Sequence, residues 1–149
     1  MRIVAAALVL ATSIAFQAPR VTPAAVAERQ DGGETLVLVD TRSRASYDRE
    51  HIAGAVSLPG NVLERSAQGL PKNKTLVLYC TCAGEHGALD AARKLHDNWG
   101  YSKLVVLEGG MDAWREAGYE MVVHHPTPQP TAKPTPTPTP VATNKPDKF

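Results

Sequence analysis

Cysteine is scarce in this chain of 149 residues: there are two, Cys80 and Cys82, with one residue between them. They are too few and too close together for the disulfide framework that staples small secreted domains, so stability has to come from an apolar core. An excess of one charge is lacking too, with 16 basic residues against 15 acidic ones. Setting aside the two ends removes Arg2, Lys133, Lys145, Lys148 and Asp147 and leaves the middle near balance, which makes no case for nucleic-acid binding. Nothing repeats internally outside a short Thr-Pro stretch. The one long apolar run lies at the N-terminus and is too short to span a bilayer comfortably.

That run reads as a secretory signal over Met1 to Phe16. Arg2 supplies the positive start, Ile3 onward the apolar stretch, and Ser13-Ile14-Ala15 or the neighbourhood of Ala18 the cleavage site. Residues 1–18 are therefore expected to be a signal peptide or an uncleaved anchor. The protein is expected to be exported, periplasmic or extracellular, and attached to a membrane only if the segment is retained. Residues 125–149 carry Thr135-Pro136-Thr137-Pro138-Thr139-Pro140 and almost no large apolar side chains. Such a segment cannot offset its ordering entropy by burial, which predicts an extended, disordered tail. Residues 20–124 are long enough for one core and not for two.

Between the ends, strand and helix patterns alternate. Thr22-Pro23 opens a short helix to about Gln30, closed by Gly32-Gly33. Leu36 to Val39 is a continuous apolar run ending in Asp40, as expected of a strand buried on both faces. Ser43 to Glu50 reads as a polar helix, Ala55 to Leu58 as a strand, Asn61 to Gln68 as a helix, and Thr75 to Cys80 as the strongest strand. A helix over Ala88 to Asn98, a strand over Lys103 to Leu107, and a helix over Met111 to Ala117 stopped by Gly118 complete the series. This alternation predicts an α/β fold, a mostly parallel central sheet with helices on both faces, and ligands beyond the carboxyl ends of its strands.

Cys80 lies at such an end. A thiol between a strand end and a helix N-terminus faces unpaired N–H groups and the positive end of the helix dipole, and both favour thiolate. The bland reading is a small apolar core residue.

Four segments carry a family resemblance: Leu38-Val39-Asp40-Thr41-Arg42; Tyr47 with His51-Ile52-Ala53-Gly54-Ala55-Val56 to Leu58-Pro59; Val77-Leu78-Tyr79-Cys80; and Leu107-Glu108-Gly109-Gly110-Met111-Asp112-Ala113-Trp114 with Ala117-Gly118-Tyr119. In this order they resemble the single-domain rhodaneses. The resemblance implies a rhodanese-like fold and a sulfurtransferase or persulfide carrier. A loop cysteine would take sulfane sulfur from a small-molecule donor and pass it to a thiol or protein acceptor, without a cofactor and as a monomer. The candidate catalytic residues of this chain are Cys80, Cys82 and His86, with Thr81, Ala83, Gly84, Glu85 and Gly87 as the candidate substrate-binding loop.

That loop departs from the family pattern, Cys-x-x-Gly-x-Arg-Ser. Counting forward from the strand aligns Cys80 and leaves the loop two residues too long. Counting back from the helix puts Ala88 in the Ser place and aligns Cys82. Strand ends fix side-chain direction better than a loop of altered length, which favours Cys80, and the loop is similar to a Cys-x-Cys-x-x-Glu rhodanese subgroup. The usual arginine is absent. A missing guanidinium and a nearby carboxylate disfavour thiosulfate, so a thiol persulfide is the expected donor. His86 has the chemistry of a general acid or base, or of an exposed capping residue; Glu85 has that of a helix cap.

Other residues read as scaffold. Asp40 with Arg42 anchors a strand end, His51 is a hydrogen-bonded turn residue, and Trp114 and Tyr119 are packing aromatics. Cys80, Cys82, His86 and His124-His125 match no zinc spacing, so no metal is expected. Two other functions fit the residues: a thiol redox protein cycling Cys80 and Cys82, and a non-catalytic module that binds a partner, with the tail as spacer. A phosphatase or arsenate reductase is disfavoured, because those chemistries need an arginine on the transferred oxyanion.

Overall fold

The structure is a computed structural model that describes residues 15–124. Most of the expected signal and the Thr-Pro tail lie outside the described residues. In chain order the elements are β1 (Arg20–Val21), α1 (Pro23–Asp31), β2 (Leu36–Asp40), α2 (Arg44–Arg49), β3 (Glu50–Ile52), β4 (Val56–Ser57), α3 (Leu63–Ser66), β5 (Thr75–Tyr79), α4 (His86–Trp99), β6 (Leu104–Leu107), α5 (Gly110–Glu116) and β7 (Met121–Val123). Five strands form a parallel sheet in the order β1-β6-β5-β2-β4. The expected α/β architecture is present, and β5 lies at its centre.

Side-chain alternation along β5 builds a core on each face. Leu76, Leu78 and then Cys80 join one cluster with Ala88, Ala91, Ala92 and Leu95 of α4. Val77 and Tyr79 join the other with Val26 of α1 and Met111 and Trp114 of α5. A strand of period two sends successive residues to opposite faces, so both must be apolar when both are covered. The α4 residues follow the i, i+3, i+4, i+7 spacing of one helix face. Packing begins ahead of Arg20: Ala18 is 8% exposed within the first cluster. Phe16 stacks on His96 with ring centroids 4.0 Å apart.

Several local expectations are corrected. β1, β3 and β7 carry no strand pattern of their own; they arise by pairing, β1 with β6 and β3 with β7. The helix expected through Glu50 ends at Arg49, because Glu50 is extended (φ −162°, ψ 136°) and pairs with Val123. The expected helix from Asn61 to Gln68 is broken into a 3-10 turn (Gly60–Val62), α3 and a second 3-10 turn (Ala67–Gly69). Burial of Leu63 and Ala67, and the Tyr101 hydroxyl donating to the Ala67 and Leu70 carbonyls, fix this irregular path. α4 starts at His86 rather than Ala88, so His86 and Gly87 form its first turn instead of lengthening the loop.

Candidate functional site

Cys80 follows β5 directly and is 5% exposed. Its parity with Leu76 and Leu78 places it on the α4 side of the sheet. Its carbonyl accepts the Met111 N–H at 3.1 Å, from the first turn of α5. The two backbones come so close there that a Cβ on Gly110, at φ +57°, would lie 2.1 Å from the Cys80 oxygen. Only glycine permits this approach, and it clamps the end of β5 against the neighbouring crossing.

Beyond Cys80 the chain makes a tight turn, with the Glu85 N–H donating to the Cys82 carbonyl at 3.1 Å. Thr81, Cys82, Ala83, Gly84, His86 and Gly87 are exposed, and Glu85 is buried. Cys80 and Cys82 are joined as a disulfide, their Cα atoms 5.7 Å apart. The helix-end donor expected at Cys80 points instead at its neighbour: the Gly87 N–H lies 3.3 Å from Cys82 Sγ. Cys80 Sγ has only a weak contact, 4.0 Å, with the Cys82 carbonyl. A Cβ on Gly87 would lie 3.6 Å from Cys82 Sγ and 3.8 Å from Cys80 Sγ. Its absence leaves open space beside both sulfurs.

Glu85 stands at the N-cap position of α4, but its side chain does not cap the helix. Its backbone is left-handed (φ +53°), the only such non-glycine among the described residues, and its side chain makes no bond to the N–H groups of the helix. The carboxylate turns across the sheet instead. It accepts the Gly109 N–H at 2.9 Å and the Arg20 Nε–H at 3.0 Å. The Gly109 donor first, and then Arg20, outweigh burial and hold this carboxyl below the usual carboxylate range. Arg20 carried no sequence signal as a site residue, because β1 exists only through its pairing with β6. His86 lays its ring over Gly84 and forms no hydrogen bond with either sulfur among the described residues.

The family model for the rhodanese-like domain matches residues 22–117. The chain belongs to the rhodanese-like domain family. It is 37% identical over 98 residues to the probable adenylyltransferase/sulfurtransferase MoeZ of Mycobacterium tuberculosis, covering 63% of this chain and 24% of that protein. It is 30% identical over 93 residues to the thiosulfate sulfurtransferase GlpE of Coxiella burnetii, covering 62% and 77% respectively. The crystal structure of the BH2092 protein from Bacillus halodurans superposes with a TM-score of 0.62 at 30% identity, covering 71% of this chain and 77% of that one. The matched region thus spans about a quarter of the length of MoeZ.

The remaining expected residues build the frame of this rhodanese-like domain. Asp40 is fully buried and takes a two-pronged contact from Arg42, Nε to Oδ1 at 3.0 Å and Nη2 to Oδ2 at 2.7 Å. Arg42 also donates to the Glu50 carbonyl at 2.6 Å, joining β2 to β3. The Tyr79 hydroxyl accepts the Ile52 N–H at 3.2 Å; burial first, and the Asp40 charge second, push this phenol up and keep it neutral. His51 lies in β3, paired with Val122 rather than in a turn; its Nδ1 pairs with the Tyr47 carbonyl at 2.8 Å and its ring stacks on Tyr47 at 3.9 Å, so it is the hydrogen-bonded scaffold residue expected. Trp114 and Tyr119 pack at 4.8 Å. His124 lies beside His51, ring centroids 6.0 Å apart, at the β3–β7 pair. Among the described residues no group of three or more His, Cys, Asp or Glu side chains is placed to hold a metal ion.

Proposed function

We propose that this domain is a sulfurtransferase or persulfide carrier in which Cys80 takes the outer sulfur of a thiol persulfide. The Cys80 thiolate attacks that sulfur, the donor leaves as its thiolate, and the new persulfide is later given up to a thiol or protein acceptor. The observation that carries this reading is the position of Cys80. It sits at the carboxyl end of the central strand, held by Met111, beneath a loop that opens a helix. Relatives named for sulfur transfer support the class of chemistry. The choice of donor rests on charge. Residues 81–87 contain no arginine, and Arg20, which reaches the loop, is already paired with Glu85. A thiosulfate dianion therefore lacks the fork that would hold it.

The test is turnover. In the presence of a second thiol, full-length reduced protein should consume glutathione persulfide faster than the uncatalysed exchange, and faster than it consumes thiosulfate. Cys80→Ser should abolish the activity, since a hydroxyl cannot hold sulfane sulfur. Failure to take up sulfur from both donors would sink the proposal. Loss in Cys82→Ser alone would give the carrier role to Cys82.

The Cys80–Cys82 disulfide favours a second reading, a thiol redox protein. That reading expects exchange with disulfides that contain no sulfane sulfur. In the same proposal the N-terminal segment directs export, so the domain carries out its sulfur chemistry outside the cytoplasm.

A further inference from the structure

We infer that Cys82 is a resolving thiol and that the domain reduces persulfides, with Cys82 expelling hydrosulfide from a Cys80 persulfide and closing the Cys80–Cys82 disulfide. This inference rests on the proposed loading of Cys80. In the loaded protein the Cys80 Sγ is the inner sulfur of the persulfide, and it is the atom to which Cys82 Sγ is bonded in the structure. The resolving sulfur therefore reaches the inner atom with the loop in the fold observed here. Cys82 is exposed, as an entering nucleophile must be. The Gly87 N–H, from the first turn of the 14-residue α4, points at Cys82 Sγ from 3.3 Å, where it supports negative charge on the attacking sulfur.

The surroundings suit departure of the outer sulfur. Gly87 leaves space beside both sulfurs, and the carboxylate of Glu85 is tied back to Arg20 and Gly109, so it does not oppose an anion there. The chain has no third cysteine to compete. A thiol two residues away acts at an effective concentration that no free thiol matches.

The step balances without an outside oxidant. The Cys82 thiolate bonds to Cys80 Sγ, and the bond from that atom to the outer sulfur breaks. Its electron pair leaves with the outer sulfur as hydrosulfide, which takes up the proton that Cys82 gave up. The sulfane sulfur gains two electrons, and the two cysteine thiols lose them in becoming the disulfide. A dithiol then reopens the disulfide by exchange. The net reaction converts a thiol persulfide and a dithiol into a thiol, hydrosulfide and an oxidised dithiol.

Single-turnover measurement on the full-length protein tests this. Reduced protein, freed of reductant, receives one equivalent of glutathione persulfide, and both sulfide and intact protein mass are followed. Wild type should release sulfide and end two hydrogens lighter. Cys82→Ser, with Cys82→Ala made in parallel, should stay one sulfur atom heavier and lose the sulfide release. Wild type that keeps the added sulfur and releases no sulfide would overturn the resolving role while leaving the carrier reading intact. So would sulfide release undiminished in both Cys82 variants. Variants that hold glutathione instead of sulfur would also overturn it, since the disulfide would then form without a persulfide. Variants that never gain sulfur would remove the carrier reading and this one together.

Discussion

Arg20 and Glu85 stand 65 positions apart in the chain and meet at 3.0 Å. Because the same carboxylate accepts the Gly109 N–H, one buried side chain ties the cysteine loop both to β1 at the edge of the sheet and to the turn after β6. The loop is thus held from outside its own segment.

Removing that tie should cost stability according to what is left unpaired. Glu85→Ala strands the Gly109 N–H and should lose about 1–3 kcal/mol, whereas Glu85→Gln keeps an acceptor and should lose less. Urea denaturation of the two variants measures the gap. Equal losses would mean that the carboxylate is not an anchor.

Acid should erase the contribution of the charge. Since Glu85 is held below the usual carboxylate range, chiefly by Gly109 and then by Arg20, the unfolded chain takes up this proton before the folded one. The stabilisation is complete above the unfolded value of about 4.3 and is lost as pH falls through the lower folded value. The stability difference between wild type and Glu85→Gln should be flat near neutrality and shrink in acid. A difference that widens there would contradict the sign.

The two glycines around the sulfurs should respond differently. In Gly110→Ala the new methyl meets the Cys80 carbonyl oxygen at 2.1 Å, a backbone atom that cannot turn aside. The expected loss is about 2–4 kcal/mol, with weaker sulfur loading. The nearest neighbours of a methyl at Gly87 are the two sulfurs and Cys80 Cβ, at ordinary contact distances of 3.6 to 3.8 Å, so Gly87→Ala should keep the wild-type melting temperature. Thermal melts of both decide it.

Asp40→Asn should be among the most damaging polar substitutions. It leaves the Arg42 guanidinium, whose side chain is 11% exposed, without its buried counter-charge and second acceptor, and breaking such a pair costs about 3–5 kcal/mol. Arg42→Lys cannot restore the two-pronged contact. Denaturation curves close to wild type in either variant would show that Asp40 and Arg42 do not hold β2 against β3.

Of the two cleavage positions read from the sequence, Ser13-Ile14-Ala15 leaves Phe16 on His96 and Ala18 in the core. With export as proposed, N-terminal sequencing of the exported protein should therefore find Phe16 first. A start beyond Ala18 would mean that this packing is dispensable.

The sheet and its helices are legible in the sequence wherever an element buries enough of itself to impose a period. The apolar runs at β2, β5 and β6 announce strands covered on both faces, and Ala88, Ala91, Ala92 and Leu95 announce the buried stripe of α4. β1, β3 and β7 are two or three residues long. No period can show in so short a segment, and only the neighbouring strand makes it one.

The site divides the same way. Sequence alone determined which chemistry is present, because two thiols beside a strand end and a helix start, with no arginine between them, are facts of residue type and local spacing. Tertiary structure decided what each group faces. The left-handed turn at Gly84 and Glu85 swings the carboxylate toward Arg20, the first turn of α4 gives the Gly87 N–H to Cys82 rather than Cys80, and Gly110 brings α5 against the end of β5. These relations depend on backbone direction and on contacts between distant segments, and neither is encoded in any local window of the chain.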